Sequence, residues 1–198
     1  MKKITIGAAY YDQKFDQIKI EPGETLTVVF SDCKFVRCSF GGAILKNCRF
    51  INCIFQECDL SLAAIPGCSF PGTRFENSKV IGVDWTQGDW SRSEFNRFKG
   101  FDDCVINHST FIGLNLKGID IKNCTARDVD FREADLSEVD FQNTDLEKSI
   151  FGETNLSQAD LSQARHYTID PGKNNLKGCK FSLPEAMSLI YSMDIDLK

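Results

Sequence analysis

A period of five residues constrains this chain more than any other feature. Counting in fives from Phe30, the same beat falls on Phe35, Phe40, Leu45, Phe50, Phe55, Leu60, Ile65, Phe70, Phe75, Val80, Trp85, Trp90 and Phe95. One extra residue then shifts the phase. The beat resumes at Phe101 and continues through Ile106, Phe111, Leu116, Ile121, Ala126, Phe131, Leu136, Phe141, Leu146, Phe151, Leu156 and Leu161. All 27 beats are apolar in a chain that is 42% apolar, so composition alone does not produce the spacing. Two residues before most beats sits a smaller side chain, and this slot holds all 9 cysteines: Cys33, Cys38, Cys48, Cys53, Cys58, Cys68, Cys104, Cys124 and Cys179.

Five is neither the repeat of an amphipathic helix nor the alternation of a strand. A short extended stretch followed by a turn does use five residues. Side chains two apart on it point the same way, so each unit offers one small and one large group to a common interior. Such a unit buries them only against copies of itself, which is the logic of a solenoid. Cys33 and Cys53, Cys38 and Cys58, Cys48 and Cys68, and Cys104 and Cys124 are each 20 residues apart, as are Phe30, Phe50, Phe70 and Trp90, and later Phe111, Phe131 and Phe151. Four faces per coil would stack these groups at the strand spacing of ~4.8 Å, with the aromatic rings in one interior corner. Seven coils make a rod of roughly 34 Å. The cysteines then read as small core residues.

The units "ADLSE", "TDLEK", "TNLSQ" and "ADLSQ" between residues 134 and 163 resemble the consensus of the pentapeptide-repeat family, and the likeness covers about residues 28–165. The resemblance implies an all-β solenoid: a right-handed quadrilateral parallel β-helix of about seven to eight coils with a short C-terminal α-helix. Residues 1–27 read as a cap or imperfect first coil, 28–165 as the β-helix with an interruption near 91–100, and 166–198 as a C-terminal loop, helix and dimerisation tail. Ser182 and Glu185 have capping-box spacing with Pro184 in the first turn, which predicts a helix over about 183–193. Leu183, Met187, Ile190 and Tyr191 form its apolar stripe. The plainest role for it is a lid on the last coil. In the topoisomerase-protecting branch of the family, this helix and the strand after it, here "DIDL", form a two-fold dimer interface, so the resemblance implies a homodimer.

Charge is divided unevenly. Residues 1–100 carry 13 Lys/Arg against 11 Asp/Glu, whereas residues 101–198 carry 10 against 17. The acidic half argues against direct nucleic-acid binding, because phosphate contacts need Lys and Arg. The residue before each large core position points outward, and there the second half places Asp120, Asp130, Asp135, Asp140, Asp145 and Asp160, with Glu133 and Glu138 nearby. Asp120, Asp140 and Asp160 fall in one column. Lys34, Arg49 and Arg74 take the same slot in the first half, which speaks against a uniformly acidic rod. The interruption, with Arg92, Arg97, Phe98 and Lys99, is expected to leave the rod as a loop.

Catalytic patterns are not apparent. No paired Cys-x-x-Cys or Cys/His set suits a zinc ion, no glycine-rich phosphate loop or nucleophile elbow occurs, and His108 and His166 are the only histidines. We expect no enzyme, no cofactor and no metal. No apolar run approaches the roughly 18 residues that span a bilayer, and without an export signal the expected location is the cytoplasm, where cysteines stay as thiols. The resemblance, strongest in the closing "NNLKGCKFSLPEAMSLIYSMDIDL", implies a DNA-mimicking binder of DNA gyrase or topoisomerase IV that protects the enzyme from antibiotics or toxins. The alternative is a structural or regulatory scaffold that binds another protein through its loops.

Overall fold

The computed structural model describes residues 4–91 and 97–193. Within them the chain winds as a parallel β-solenoid of about eight turns. Tyr10 pairs with Phe30 and Phe30 with Phe50 on one face, while Phe15 pairs with Phe35, Phe35 with Phe55 and Phe55 with Phe75 on the next. The strands are two or three residues long, such as Thr25–Leu26, Val29–Ser31 and Lys34–Val36. They are this short because each face must also turn a corner. Two residues beyond the large core position the backbone enters the left-handed region, as at Asp32 (φ 54°), Asn52 (φ 52°) and Asn143 (φ 59°). Asp and Asn tolerate that conformation better than most side chains, which explains their recurrence at the corners.

The interior is a dry column of beats. Phe35 stacks on Phe55 with centroids 4.6 Å apart and planes 10° from parallel, and Phe30 on Phe50 at 5.3 Å and 9°. Rings on neighbouring faces meet edge to face, as Phe30 does Phe35 at 4.9 Å. Both arrangements suit the aromatic quadrupole. Full burial of each Phe contributes about 2 kcal/mol or more, so the repeated beat supplies most of the cohesion. The stacked rings occupy three faces, not the single corner expected, and Phe40 stands on the fourth, edge to face with Phe35 and Phe55. One stack descends from Tyr10, a second from Phe15, and a third begins at Trp85 and continues through Phe111, Phe131 and Phe151.

The first two stacks run side by side before the interruption, and the third is produced by it. Phe75 pairs with Phe101 and Lys79 with Val105, a separation of 26 residues, before pairs 20 apart return at Phe101 and Ile121. The chain therefore inserts six residues, not one. Counting in fives sees only the remainder, because a complete beat can leave the rod without disturbing the phase. Phe111 lands over Trp85 as a result, at 5.7 Å and 9°, and not over Trp90. Phe95 lies outside the described residues.

The small slot has a more specific role than filling space. Cys53 Sγ donates toward the carbonyl of Phe30 at 3.6 Å, Cys48 toward Leu26 at 3.3 Å, and Thr73 Oγ1 toward Phe50 at 2.7 Å. Thiols and hydroxyls thus serve the same purpose, tying each coil to the carbonyls of the one before. All 9 cysteines are free thiols, and all but Cys179 are buried. Replacing Cys53 with Ser is accordingly expected to cost under about 1.5 kcal/mol, since the hydroxyl keeps a carbonyl partner. Cys53→Leu should cost about 1–3 kcal/mol by overpacking. Urea midpoints of the two variants would check the order.

The C-terminal end departs from the sequence expectation. The α-helix is Met187–Tyr191, shorter than 183–193, and Ala186, which has no side-chain capping bond, stands at its N-cap. Ser182 and Glu185 do not form the capping box. Ser182 Oγ accepts from the Gln163 backbone N–H and the Glu185 carboxylate from that of His166. These two donors lie on the last complete coil, and among the described residues no strand beyond pairs with them. Satisfying an open edge outweighs capping a five-residue helix. Leu189 packs against the core, and Ser192 Oγ donates to the Ile169 carbonyl at 3.1 Å, so the helix is tied down over the rod's end.

Candidate functional site: an acidic face in the second half

The square cross-section sorts the nominated acids onto different faces. Asp120, Asp140 and Asp160 do form one column, linked by successive parallel bridges that end at Lys180. Asp135 belongs to the neighbouring column Asn115–Asp135–Asn155, and Asp130 to Thr110–Asp130–Ile150 on another face. Glu133 and Glu138 sit at left-handed corner positions, with φ of 61° and 60°. The eight residues therefore do not present a common surface. Lys122 and Asp102 complete the face that carries the Asp120 column. Asp102 follows its core residue rather than preceding it, and counting only the preceding slot misses it.

Each carboxylate of the column has its own environment. Asp120 faces Lys122 at 3.5 Å, and the nearby Asp120 carboxylate raises the Lys122 ammonium above its ordinary range. Asp160 meets Lys180 at 3.2 Å. Burial works to raise the Asp160 carboxyl, but hydrogen bonds from Ser162, Lys180 and Gln142 outweigh it and hold the group below the usual carboxylate range. Asp140 accepts the Gln142 backbone N–H at 2.9 Å and forms no ion pair among the described residues, its charge reaching Lys122 only at longer range. It is the centre of the column and the most available negative charge there.

Two nominated acids are committed elsewhere. Asp130 is bound by Arg132 at 2.6 Å, which lowers its carboxyl. Asp145 is buried, with a side chain 1% exposed, and is gripped by Arg127 at 2.7 Å, Arg165 at 3.6 Å and His166 Nδ1 at 2.9 Å. It is a structural anchor and offers no surface to a partner. Arg127 was no candidate in the sequence because its partner lies 18 positions away.

The interruption divides in two. Arg92 lies outside the described residues. Arg97 and Lys99 are exposed, but Phe98 is 5% exposed and packs edge to face on Phe101 at 5.3 Å and on Trp90 at 5.8 Å. Phe98 anchors the returning chain and is not a free loop residue. A recess of about 400 Å³ opens past it, lined among others by Arg74, Glu76, Lys99, Asp102, Asp120 and Lys122 and not by Phe98. Its charges are balanced.

Of the apolar stripe, Leu183 and Tyr191 are exposed, at 77% and 62%, and Met187 and Ile190 are half-buried. Met193, not singled out by the stripe, is 54% exposed beside them. "DIDL" lies outside the described residues. Among the described residues no three His, Cys, Asp or Glu side chains converge as a metal site, and no helix is long and apolar enough to cross a membrane.

A parallel solenoid with a five-residue unit, four faces and a capped end defines the class of protein. A family model described as a pentapeptide repeat region matches residues 28–100 and 98–161, and the chain belongs to that family. Comparison with curated proteins gave no match. Among solved structures, the chain is similar to full-length QnrB1, described as a plasmid-mediated fluoroquinolone resistance protein, with 18% identity, a TM-score of 0.73, and coverage of 94% of this chain and 100% of that one. A trypsin-treated QnrB1 variant matches at 18% identity and a TM-score of 0.58, covering 98% and 99%. HetL, a pentapeptide repeat protein involved in heterocyst differentiation regulation in the cyanobacterium Nostoc, matches at 15% identity and a TM-score of 0.45, covering 85% of each chain.

Proposed function

We propose that the protein is a non-enzymatic binder of a type II topoisomerase, DNA gyrase or topoisomerase IV, and protects it in the cytoplasm from an antibiotic or toxin. The observation that carries the reading is the Asp120–Asp140–Asp160 column on one face of the solenoid. DNA-binding saddles read charge and shape, and this face offers both. The fold likeness to QnrB1 supports the same reading. Duplex DNA carries one charge per ~1.7 Å, whereas the column places one carboxylate per ~4.8 Å. Binding should therefore weaken with salt, but less steeply than DNA binding does. Exposed Leu183, Tyr191 and Met193 fit a two-fold contact between chain ends that doubles the rod's length.

The test is a gyrase supercoiling assay with a fluoroquinolone, alongside direct binding to gyrase and topoisomerase IV. The chain should restore supercoiling, and the triple reversal Asp120→Lys, Asp140→Lys, Asp160→Lys should lose protection and bind at least 10-fold more weakly. Asp140→Lys alone should account for much of the loss, since Asp140 is the acid of the column without a close ion pair among the described residues. Protection undiminished in the triple variant would sink mimicry by this face. A wild-type chain that binds neither enzyme would favour the scaffold reading.

A further inference from the structure

One corner of the first half carries an apolar side chain where the turn asks for a polar one. Among the described residues, every non-glycine residue with positive φ is Asp, Asn, Glu, Gln, Lys, Arg or His, with the exception of Leu62 at φ 59°. Leucine has no polar group to bond the turn, so the left-handed conformation costs it more than it costs asparagine. Burial does not compensate, since Leu62 is 70% exposed. Strain kept at an exposed apolar residue points to function. The surface around it is uncharged. Residues 60–73, "LSLAAIPGCSFPGT", contain no Asp, Glu, Lys or Arg, and neither do residues 38–45 on the coil before or 80–83 on the coil after. Pro22, Gly42, Leu62 and Gly82 share the corner: a Cβ on Gly42 would press on Pro22, and one on Gly82 would meet Leu62. Ile44, Ala64 and Ile81 lie half-buried beside them. In the second half the same corner holds His108, Asp128 and Lys148.

We propose that this corner docks a single α-helix of a partner protein, amphipathic and with basic residues flanking its apolar stripe. Backbone chemistry excludes an extended segment. The Leu62 N–H donates to the Ile81 carbonyl, the Ala64 N–H to Ala43 and the Ile44 N–H to Glu24, so the flank has no free edge for a strand to join. A helix satisfies its own backbone. Size points the same way. From the coil of Pro22 to that of Gly82 is three steps, ~14 Å, wide enough to seat one helix ~10–12 Å across. The strip's area, roughly 200 Å² over about five residues of each coil, is far below the ~800 Å² per partner of a stable dimer, which argues against a second copy of the chain. Charge sets the flanks. Glu24 stands on one side of the strip and Asp84 on the other, and neither forms an ion pair among the described residues, so lysine or arginine beside the stripe would complement both. Leu45 and Ile65 line this face, two steps round the square from that of Phe35 and Phe55, so the site lies opposite the Asp120 column and is independent of it.

The probe is a fluorescently labelled peptide of about 14 leucines and lysines with the leucines at helical spacing, titrated with the full chain and read by anisotropy. A scrambled peptide of the same composition controls for attraction to the acidic half. The chain should bind the amphipathic peptide at least 10-fold more tightly than the scramble, and Leu62→Asn should erase that preference. Ile150→Asn, at another exposed apolar residue, should keep it. Asparagine is safe in this conformation, since Asn47 and Asn52 hold it at other corners with φ 52°. Leu62→Asn should also raise the urea midpoint, because strain is relieved and little burial is lost. A variant that is more stable yet binds less separates docking from a structural role. A preference that survives Leu62→Asn, a urea midpoint that falls, equal binding of a leucine/glutamate counterpart, or self-association of the chain alone that Leu62→Asn abolishes would each overturn the assignment.

Discussion

Replacing Gly100 with alanine is expected to destabilise the junction between the two halves of the rod by about 3 kcal/mol. Gly100 has a φ of 106°, a left-handed value that costs an L-residue about 1 kcal/mol or more. A Cβ built there would overlap the backbone carbonyl of Asp120, and backbone cannot swing aside as a side chain can. Overpacking of this kind adds about 1–3 kcal/mol. Gly113→Ala is the control, because Gly113 also has a positive φ, 68°, yet a Cβ there meets nothing within 4 Å. It should lose only the conformational share, about 1 kcal/mol. Both tryptophans, Trp85 and Trp90, pack on Phe98 beside the junction, so their fluorescence reports its opening. In urea, Gly100→Ala should shift the tryptophan transition well ahead of the circular dichroism transition, because repeat arrays lose cooperativity when one interface weakens. Coincident, unshifted transitions would refute the steric account.

The sequence and structure agree where the physics is periodic and part company where it is local. Beats at Phe35, Phe55 and Phe75 were legible because each burial repeats the last, and every copy reinforces the same reading. The Asp120 column was legible for the same reason. Phe98 was not, because an insertion of one full beat plus one residue has the arithmetic of a single-residue slip. Asp145 could not be told from Asp140 by its slot. What separates them is the company on the next coil: Arg165 and His166 below Asp145, but Asp160 below Asp140. Ser182 and Glu185 showed a real capping pattern, yet the unpaired N–H groups of the last coil claimed both side chains.

Asp145→Asn is expected to destabilise the second half by about 2–3 kcal/mol and to flatten its acid sensitivity. Burial alone would raise the Asp145 carboxyl, but hydrogen bonds from His166, Arg127 and the Glu147 backbone N–H outweigh it and hold the group at about 2, against an ordinary value of 3.8. A folded-state pKa below the unfolded one means that the unfolded chain binds the proton more readily. The stabilisation is therefore complete above about pH 4 and is lost as the pH falls toward 2, and the displacement corresponds to about 2 kcal/mol. The asparagine keeps the shape and loses the charge, leaving the partly exposed Arg127 and Arg165 to solvent and not stranded in the core. That is why the cost stays below the 3–5 kcal/mol of a broken, fully buried pair. Urea midpoints should separate wild type from Asp145→Asn at pH 6 and converge near pH 2. Asp140→Asn, from the Asp120 column, should stay within about 0.5 kcal/mol of wild type at pH 6. If Asp145→Asn kept the wild-type acid sensitivity between pH 4 and 2, the carboxylate that locks the last coils to the rod would have to be another one.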